Sequence, residues 1–162
     1  MNLPRAISSF LFGLFISQIV YYYPNLAEKV AVHFNAFGEP DNWASKQSYL
    51  IFQIILLLFT AIITFGLPLL IEKIPDSAIN IPRKDYWLAP QRRNKTFSIL
   101  RKQFEWFGIG LCTLLVSMNQ LVVRANLLNQ NLSSASWYIL GVFLLFVALW
   151  SIRLCKDFKI TE

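Results

Sequence analysis

Cysteine and histidine are scarce in this chain of 162 residues, which contains two cysteines and one histidine. Cys112 and Cys155 form no Cys-x-x-Cys pair and have no histidine near them in the sequence. Neither a metal site nor a cysteine nucleophile is therefore indicated. Acidic residues are also few, with nine Asp and Glu against fifteen Lys and Arg, which gives a formal net charge of +6. We expect no metal and no cofactor.

Long apolar runs are the main feature that is present. Four of them cover approximately residues 6–23, 48–71, 104–123 and 134–154. Each reaches or approaches the ~20 residues that a helix needs to cross a ~30 Å hydrocarbon core. A soluble protein would need four helices without a polar face toward water. The sequence therefore predicts an all-α membrane protein with four transmembrane helices, forming a single integral membrane domain over residues 1–162.

The distribution of basic residues predicts the topology. The cations between the second and third runs are Lys73, Arg83, Lys84, Arg92, Arg93, Lys95, Arg101 and Lys102. Residues 24–47 contain only Lys29 and Lys46, and residues 124–133 only Arg124. Because cytoplasmic loops carry an excess of Lys and Arg, we expect both termini and a basic inner loop, 72–103, in the cytoplasm, with the other two loops outside.

The first apolar run also has the basic start of a secretory signal peptide. Where a small-residue cleavage site would follow, the sequence has Val20-Tyr21-Tyr22-Tyr23-Pro24 instead. Aromatic side chains are typical of a membrane interface, and a proline there ends the helix. We expect this run to be retained as a transmembrane helix.

Small residues and proline modify two of the runs. Gly66 and Pro68 should bend the inner end of the second run, since proline removes a backbone donor. Gly108 and Gly110 in the third run favour close approach of a neighbouring helix, and a pore constriction is the less favoured alternative.

Few polar residues lie at membrane depth. They are Gln53, Ser117, Asn119 and Gln120. We expect them to turn inward and share hydrogen bonds, although they would also suit a solute path. No Asp, Lys or His lies at the middle of a run, which argues against coupled ion or proton transport. Glu105 lies near an end, where it can reach water or a cation such as Arg101 at position i−4.

Residues 24–47 show more pattern than a simple connection requires. Val30, Val32 and Phe34 alternate with Ala31, His33 and Asn35 as in a strand, and residues 38–42 are rich in turn formers. We expect a short, partly extended outer loop that turns back to the membrane.

Two motifs carry a family resemblance. The first is Val32-His33-Phe34-Asn35, then Gly38-Glu39-Pro40-Asp41-Asn42-Trp43 and Ser45-Lys46, immediately before the second run. The second, in the inner loop, is Asn80-Ile81-Pro82-Arg83-Lys84-Asp85-Tyr86-Trp87-Leu88, followed by Arg92, Arg93 and Thr96. Over approximately residues 8–105 the chain closely resembles the bacterial membrane family of domain of unknown function 1648. That domain also occurs in the N-terminal part of the immunity proteins against the sporulation-delaying peptide toxin. Those proteins are longer, so the resemblance does not imply their full activity.

The outer motif supplies the candidate ligand-binding residues, which combine polar and aromatic side chains as recognition surfaces do. They are His33, Asn35, Glu39, Asp41, Trp43 and Lys46, with Gly38 and Pro40 shaping the turn. A structural role, tying the loop to the ends of the helices, is the alternative. A metal site at His33, Glu39 and Asp41 is disfavoured because the spacing fits no established ligand pattern.

The inner motif supplies candidate contacts to lipid headgroups or to a cytoplasmic partner. They are Lys84, Tyr86, Trp87, Arg92, Arg93 and Lys95. Each cation near an anionic surface contributes about 1 kcal/mol, and we expect Tyr86 and Trp87 to be anchored in the headgroup layer. Because the charge is concentrated at one membrane face, anionic lipid is expected as the partner, and nucleic acid is not.

Together these features predict a multi-pass protein of a bacterial inner membrane. We expect it to be non-enzymatic and to bind an envelope or extracellular ligand, such as a peptide, in an immunity or signalling role. The alternative is a small transporter, which would need a homo-oligomer, because four helices rarely enclose a solute path alone.

Overall fold

Residues 3–159 are described by a computed structural model, and most of them are helical. The helices are α1 (Leu3–Tyr22), α2 (Lys46–Ala61), α3 (Leu67–Ile71), α4 (Lys84–Trp87), α5 (Pro90–Leu128) and α6 (Ala135–Asp157). Strands β1 (Lys29–Phe34) and β2 (Pro40–Ser45) form an antiparallel hairpin between α1 and α2. Short 3-10 turns cover Tyr23–Asn25 and Asp76–Ala78.

Four helical stretches have the length and apolar composition to cross a membrane. They are Leu3–Asn25, Lys46–Ile71, Arg93–Leu128 and Ala135–Asp157. The prediction of four membrane-length helices is confirmed. We name the end of the bundle that carries residues 23–45 and 129–134 the hairpin end, and the end that carries residues 72–89 the basic end.

Helix α5 is longer than the sequence predicted. It spans 39 residues and begins at Pro90, whereas the apolar run begins near residue 104. Proline is favoured at the first helical position because its φ is preset, and the Arg, Lys and Gln residues that follow are good helix formers. Much of the predicted basic inner loop is therefore helical. At 1.5 Å per residue α5 is about 58 Å long, well beyond the thickness of the hydrocarbon core.

The second apolar run contains a π-helical turn, Ile62–Gly66, before α3. The amide of Leu67 donates to the carbonyl of Ile62, five residues earlier. Pro68 follows at the start of α3 and has no amide hydrogen to donate. The regular helix is thus interrupted one turn before the proline, and the bend expected at Gly66 and Pro68 stays a prediction.

Helix α1 is tied to α5 by an ion pair at the basic end. Nε and an Nη of Arg5 lie 3.1 Å from Oε1 of Glu105, whose side chain is only 3% exposed. Arg101 pairs instead with Glu72, at 2.7 Å. Glu105 thus pairs with a cation, as expected, but that cation is Arg5 and not Arg101, because packing of α1 against α5 brings Arg5 close.

A polar cluster joins α1, α2 and α5 toward the hairpin end. Oδ1 of Asn119 accepts hydrogen bonds from the Tyr49 hydroxyl (2.6 Å) and from Nε2 of Gln53 (3.0 Å). Nδ2 of Asn119 donates to Gln18 (3.1 Å), whose Nε2 donates to Gln120 (3.0 Å). Nε2 of Gln120 in turn donates to the Tyr22 hydroxyl (2.9 Å). Tyr49, Gln53 and Asn119 are buried. The polar side chains thus turn inward, as the cost of leaving them unpaired in hydrocarbon requires.

Helix packing at two glycines follows the expected small-residue contacts. A Cβ atom at Gly108 would overlap the side chain of Thr64, and one at Gly110 would overlap the ring of Phe146 in α6. Thr64 is buried, and its hydroxyl donates to the carbonyl of Thr60 at 2.7 Å, which limits its freedom to move aside. The backbone of α5 therefore approaches the π-helical turn closely because residue 108 has no side chain.

We predict that Gly108→Ala lowers the stability of the bundle by about 1–3 kcal/mol, the range typical of overpacking. The measurement is the thermal midpoint in detergent. Gly141→Ala is the matched control, because nothing lies within 4 Å of the added carbon. It should leave the midpoint unchanged or raise it slightly, since alanine favours helix. Equal effects of the two variants would contradict the close approach at Gly108.

Candidate functional site

The hairpin between α1 and α2 holds the first motif. Its strands pair Lys29 with Ser45, Val30 with Ala44, Ala31 with Trp43, His33 with Asn42 and Phe34 with Pro40, and the register shifts on both sides of His33. The simple alternation expected for β1 is therefore broken. Ala31 is buried beside Val30, whereas Val32 is 38% exposed. An irregular register turns a side chain away from its expected face because strand faces alternate residue by residue.

Asn35 organises the turn of the hairpin. Its Oδ1 accepts hydrogen bonds from the amides of Phe37 (2.9 Å) and Glu39 (3.0 Å), and its Nδ2 donates to the Glu39 carboxylate (2.8 Å). Gly38 has a φ of +81°, a conformation that favours glycine. Pro40 opens β2. Asn35, Glu39 and Gly38 are thereby occupied in building the turn.

The remaining charged residues of the motif also have partners within this end of the protein. Nδ1 of His33 donates to Oδ1 of Asp41 at 2.5 Å, and both side chains are exposed. Nζ of Lys46 lies 4.9 Å from the ring centroid of Tyr23 and 3.4 Å from the carbonyl of Pro24. Within residues 3–159 no three His, Cys, Asp or Glu side chains gather as a metal site would require.

A side-chain clamp from α5 fixes the hairpin. The amide of Ala31 donates to Oδ1 of Asn126 (2.7 Å), and Nδ2 of Asn126 donates to the carbonyl of Ala31 (3.0 Å). On the far side of the hairpin, the amide of Leu132 donates to the carbonyl of Gly38 (2.7 Å). Asn126 could not be recognised from the sequence, because asparagine is common near helix ends and its partner is 95 residues away.

Exposed aromatic residues remain at the hairpin end once these contacts are counted. Phe37 at the tip of the turn is 85% exposed, Trp137 at the start of α6 58%, and Trp43 53%. A groove of about 400 Å³ lies between the turn and α6, lined by Phe34, Asn35, Ala36, Phe37, Gly38, Met118, Leu132, Ser134, Ser136, Trp137 and Leu140. Of the predicted ligand residues, only Asn35 lines this groove, together with the turn residue Gly38.

The second motif folds against the bundle. Trp87 is buried, its indole nitrogen donates to the carbonyl of Phe158 (3.1 Å), and the Thr96 hydroxyl donates to the carbonyl of Trp87 (2.7 Å). Trp87 packs in a cluster with Ile79 and Phe97. Trp87 is therefore buried among protein side chains, because Phe158 just beyond α6 supplies its partner, and little of the indole is left for contact with a lipid headgroup.

The basic side chains of this motif are partly engaged. The Arg92 guanidinium lies 3.9 Å from the ring centroid of Tyr86, which is 36% exposed. Arg93 makes a 3.1 Å ion pair with Asp76, and Nζ of Lys84 lies 3.3 Å from the carbonyl of Ser77. Lys95 is exposed. Three of these four cations thus bind neighbouring protein groups.

Comparison with known families gives one match. Residues 10–59 match the family model described as Domain of unknown function (DUF1648). The match covers most of α1, the hairpin and most of α2, and it includes the first motif but not the second. No curated protein and no solved structure matches the chain. Fold and match together define a helical protein with four membrane-length helices, of which residues 10–59 are similar to a domain of unknown function.

We predict that Asn126→Ala releases the hairpin from α5. It removes two hydrogen bonds to Ala31, each contributing about 1 kcal/mol. Hydrogen exchange of residues 29–45 in the detergent-solubilised protein should accelerate, while exchange within α2 stays slow. Gln130→Ala is the control, since that side chain is exposed and makes no hydrogen bond within residues 3–159. Unchanged exchange in Asn126→Ala would contradict the clamp.

Proposed function

We propose that the protein is a non-enzymatic binding protein of a bacterial inner membrane, and that the hairpin end recognises an apolar or amphipathic envelope ligand, such as a peptide. The role would be immunity or signalling. The observation that carries this proposal is the groove beneath the hairpin turn, with exposed Phe37 and Trp137 in its lining. Clusters of aromatic side chains with polar neighbours are typical of recognition surfaces.

The rigidity of the hairpin supports binding. Its turn is closed by Asn35, its edge is held by Asn126, and its tip is bonded to Leu132. A surface that is already ordered loses little conformational entropy when a ligand binds. Apolar side chains on such a platform are suited to recognition, because their burial against a ligand is not offset by ordering the loop.

The charge distribution supports placing this groove on the outer side of the membrane, away from the cytoplasm. The hairpin end carries few cations, whereas residues 72–103 carry many. By the positive-inside rule the hairpin then faces the envelope, where a secreted peptide would first meet the protein.

The space inside the bundle favours binding over transport. Between Tyr49 and Gln53 of α2 and Val123 of α5, the cavity measures only about 10 Å³. That volume is about one water molecule, and the polar cluster closes the bundle at the same level. A transport path would therefore have to form between copies of the chain in a homo-oligomer.

The exposure of His33 and Asp41 supports a non-enzymatic role. The pair is open to solvent, with side-chain exposures of 68% and 44%. General acid and base catalysis benefits from exclusion of water around the reacting groups. The pair instead links the two strands of the hairpin beside the register shift.

We predict that Phe37→Ala and Trp137→Ala abolish protection of cells against a membrane-active peptide while leaving protein abundance and thermal midpoint unchanged. Burial of one aromatic side chain contributes about 1.5–3 kcal/mol, which is about tenfold or more in affinity. The measurement is survival of producing cells challenged with a panel of secreted membrane-active peptides, beside cells without the protein.

Two further variants control this experiment. Tyr138→Ala removes another exposed aromatic residue of α6, one that does not line the groove, so protection should persist. Asn35→Ala should lower abundance, stability and protection together, because it opens the turn. If Phe37→Ala and Trp137→Ala behave like Asn35→Ala, the aromatic residues are structural and the recognition proposal fails.

A further inference from the structure

A second groove, of about 610 Å³, lies between α5 and α6 at the basic end. Its lining residues are Ile99, Lys102, Gln103, Trp106, Phe146, Leu149, Trp150, Arg153 and Asp157. This groove is distinct from the hairpin groove, and no residue of either motif lines it. One wall of the groove is α6, a helix with no buried residue in Ala135–Asp157.

The lining of the groove is apolar at one end and charged at the other. Phe146 and Leu149 line the part closer to the middle of α6, and Arg153 and Asp157 line the part near the end of that helix. From Phe146 to Arg153 is seven residues, or about 10 Å along the axis. One end is therefore apolar at membrane depth and the other is charged near the surface, which is the polarity of a phospholipid.

The charged end favours an anion. Lys102 and Arg153 are both exposed, and neither forms an ion pair within residues 3–159. The one carboxylate in the lining belongs to Asp157, which accepts a hydrogen bond from Nε2 of Gln103. The groove thus presents two cations to one carboxylate that already has a partner, so the net charge of its rim is positive.

The two tryptophans of the groove differ in hydrogen bonding. The indole nitrogen of Trp150 donates to the carbonyl of Gln103 at 3.0 Å, and its ring packs on Phe107 with centroids 4.7 Å apart. Trp106 is 36% exposed, and its indole nitrogen makes no hydrogen bond within residues 3–159. Trp106 therefore offers a donor at interfacial depth, where the ester groups of a lipid lie.

We propose that this groove is a binding site for an anionic phospholipid. The phosphate lies between Lys102 and Arg153, the indole of Trp106 donates to the glycerol ester region, and one acyl chain lies against Phe146 and Leu149. Basic pockets between transmembrane helices are suited to such headgroups. The proposal is independent of ligand recognition at the hairpin end.

The site differs from a general attraction of the basic end to an anionic surface. A diffuse attraction depends on the number of cations, and any pair of exposed cations contributes equally. A site depends on Lys102 and Arg153 in particular. Lys73 and Lys156, also exposed and also near the basic end, lie outside the groove and provide the comparison.

The experiment titrates the full-length protein in detergent with phosphatidylglycerol or with phosphatidylcholine that has the same acyl chains. The readout is the thermal midpoint, from which an apparent Kd is obtained. The wild type should bind phosphatidylglycerol more tightly than phosphatidylcholine. Lys102→Gln combined with Arg153→Gln should weaken phosphatidylglycerol binding about 25-fold, or about fivefold per cation. Lys73→Gln combined with Lys156→Gln should leave it within about twofold.

Three results would overturn the proposal. Equal losses in the two double variants would indicate a diffuse basic surface. Equal binding of both lipids would indicate an apolar groove that does not recognise charge. Stabilisation of the wild type by inorganic phosphate alone, to the extent seen with phosphatidylglycerol, would indicate a site for soluble anions. The single variants Lys102→Gln and Arg153→Gln, each with an expected loss of about fivefold, carry the test if the double variant does not fold.

Discussion

The hydrogen bonds of Asn119 are the constraint on which the rest of the structure depends. This buried amide accepts from Tyr49 and Gln53 of α2 and donates to Gln18 of α1, so three helices meet at one residue of α5. Interhelical hydrogen bonds in membranes contribute only about 0.6 kcal/mol each. The main effect is therefore on register, because sliding or rotating any of the helices leaves polar groups unpaired in hydrocarbon.

The same face of α5 also fixes the position of the hairpin. Asn126 lies seven residues, or nearly two turns, beyond Asn119, so both amides project on one side of the helix. Val123 lies between them and packs in a buried cluster with Val30 of β1. The hairpin is thus attached to the helix that fixes α1 and α2. The groove under its turn is held by the bundle core, although most connections between helices are mobile.

Hydropathy predicted the four helices because their apolar composition is itself the cause of insertion, and the polar residues at membrane depth could only turn inward. The features that the sequence did not predict have two physical origins. The helical start of α5 follows from local helix propensity, whereas the burial of Trp87 and the choice of Arg5 as the partner of Glu105 depend on residues about 70 to 100 positions away. At the candidate site, the motif indicated an organised loop, but periodicity alone does not reveal the register shift beside His33 or the clamp from Asn126.

The two ends of the protein differ in which groups their internal contacts leave available. At the hairpin end, Asn35 and its polar neighbours bond to one another, so the exposed aromatic side chains carry the capacity for recognition. At the basic end the tryptophan of the motif is buried, and charged side chains stay available. Trp87 is enclosed in the core, and Lys102 and Arg153 have no ion-pair partner within residues 3–159. The residues that make a motif recognisable are therefore those that build each surface, and the side chains still available for contacts are those that the fold leaves without internal partners.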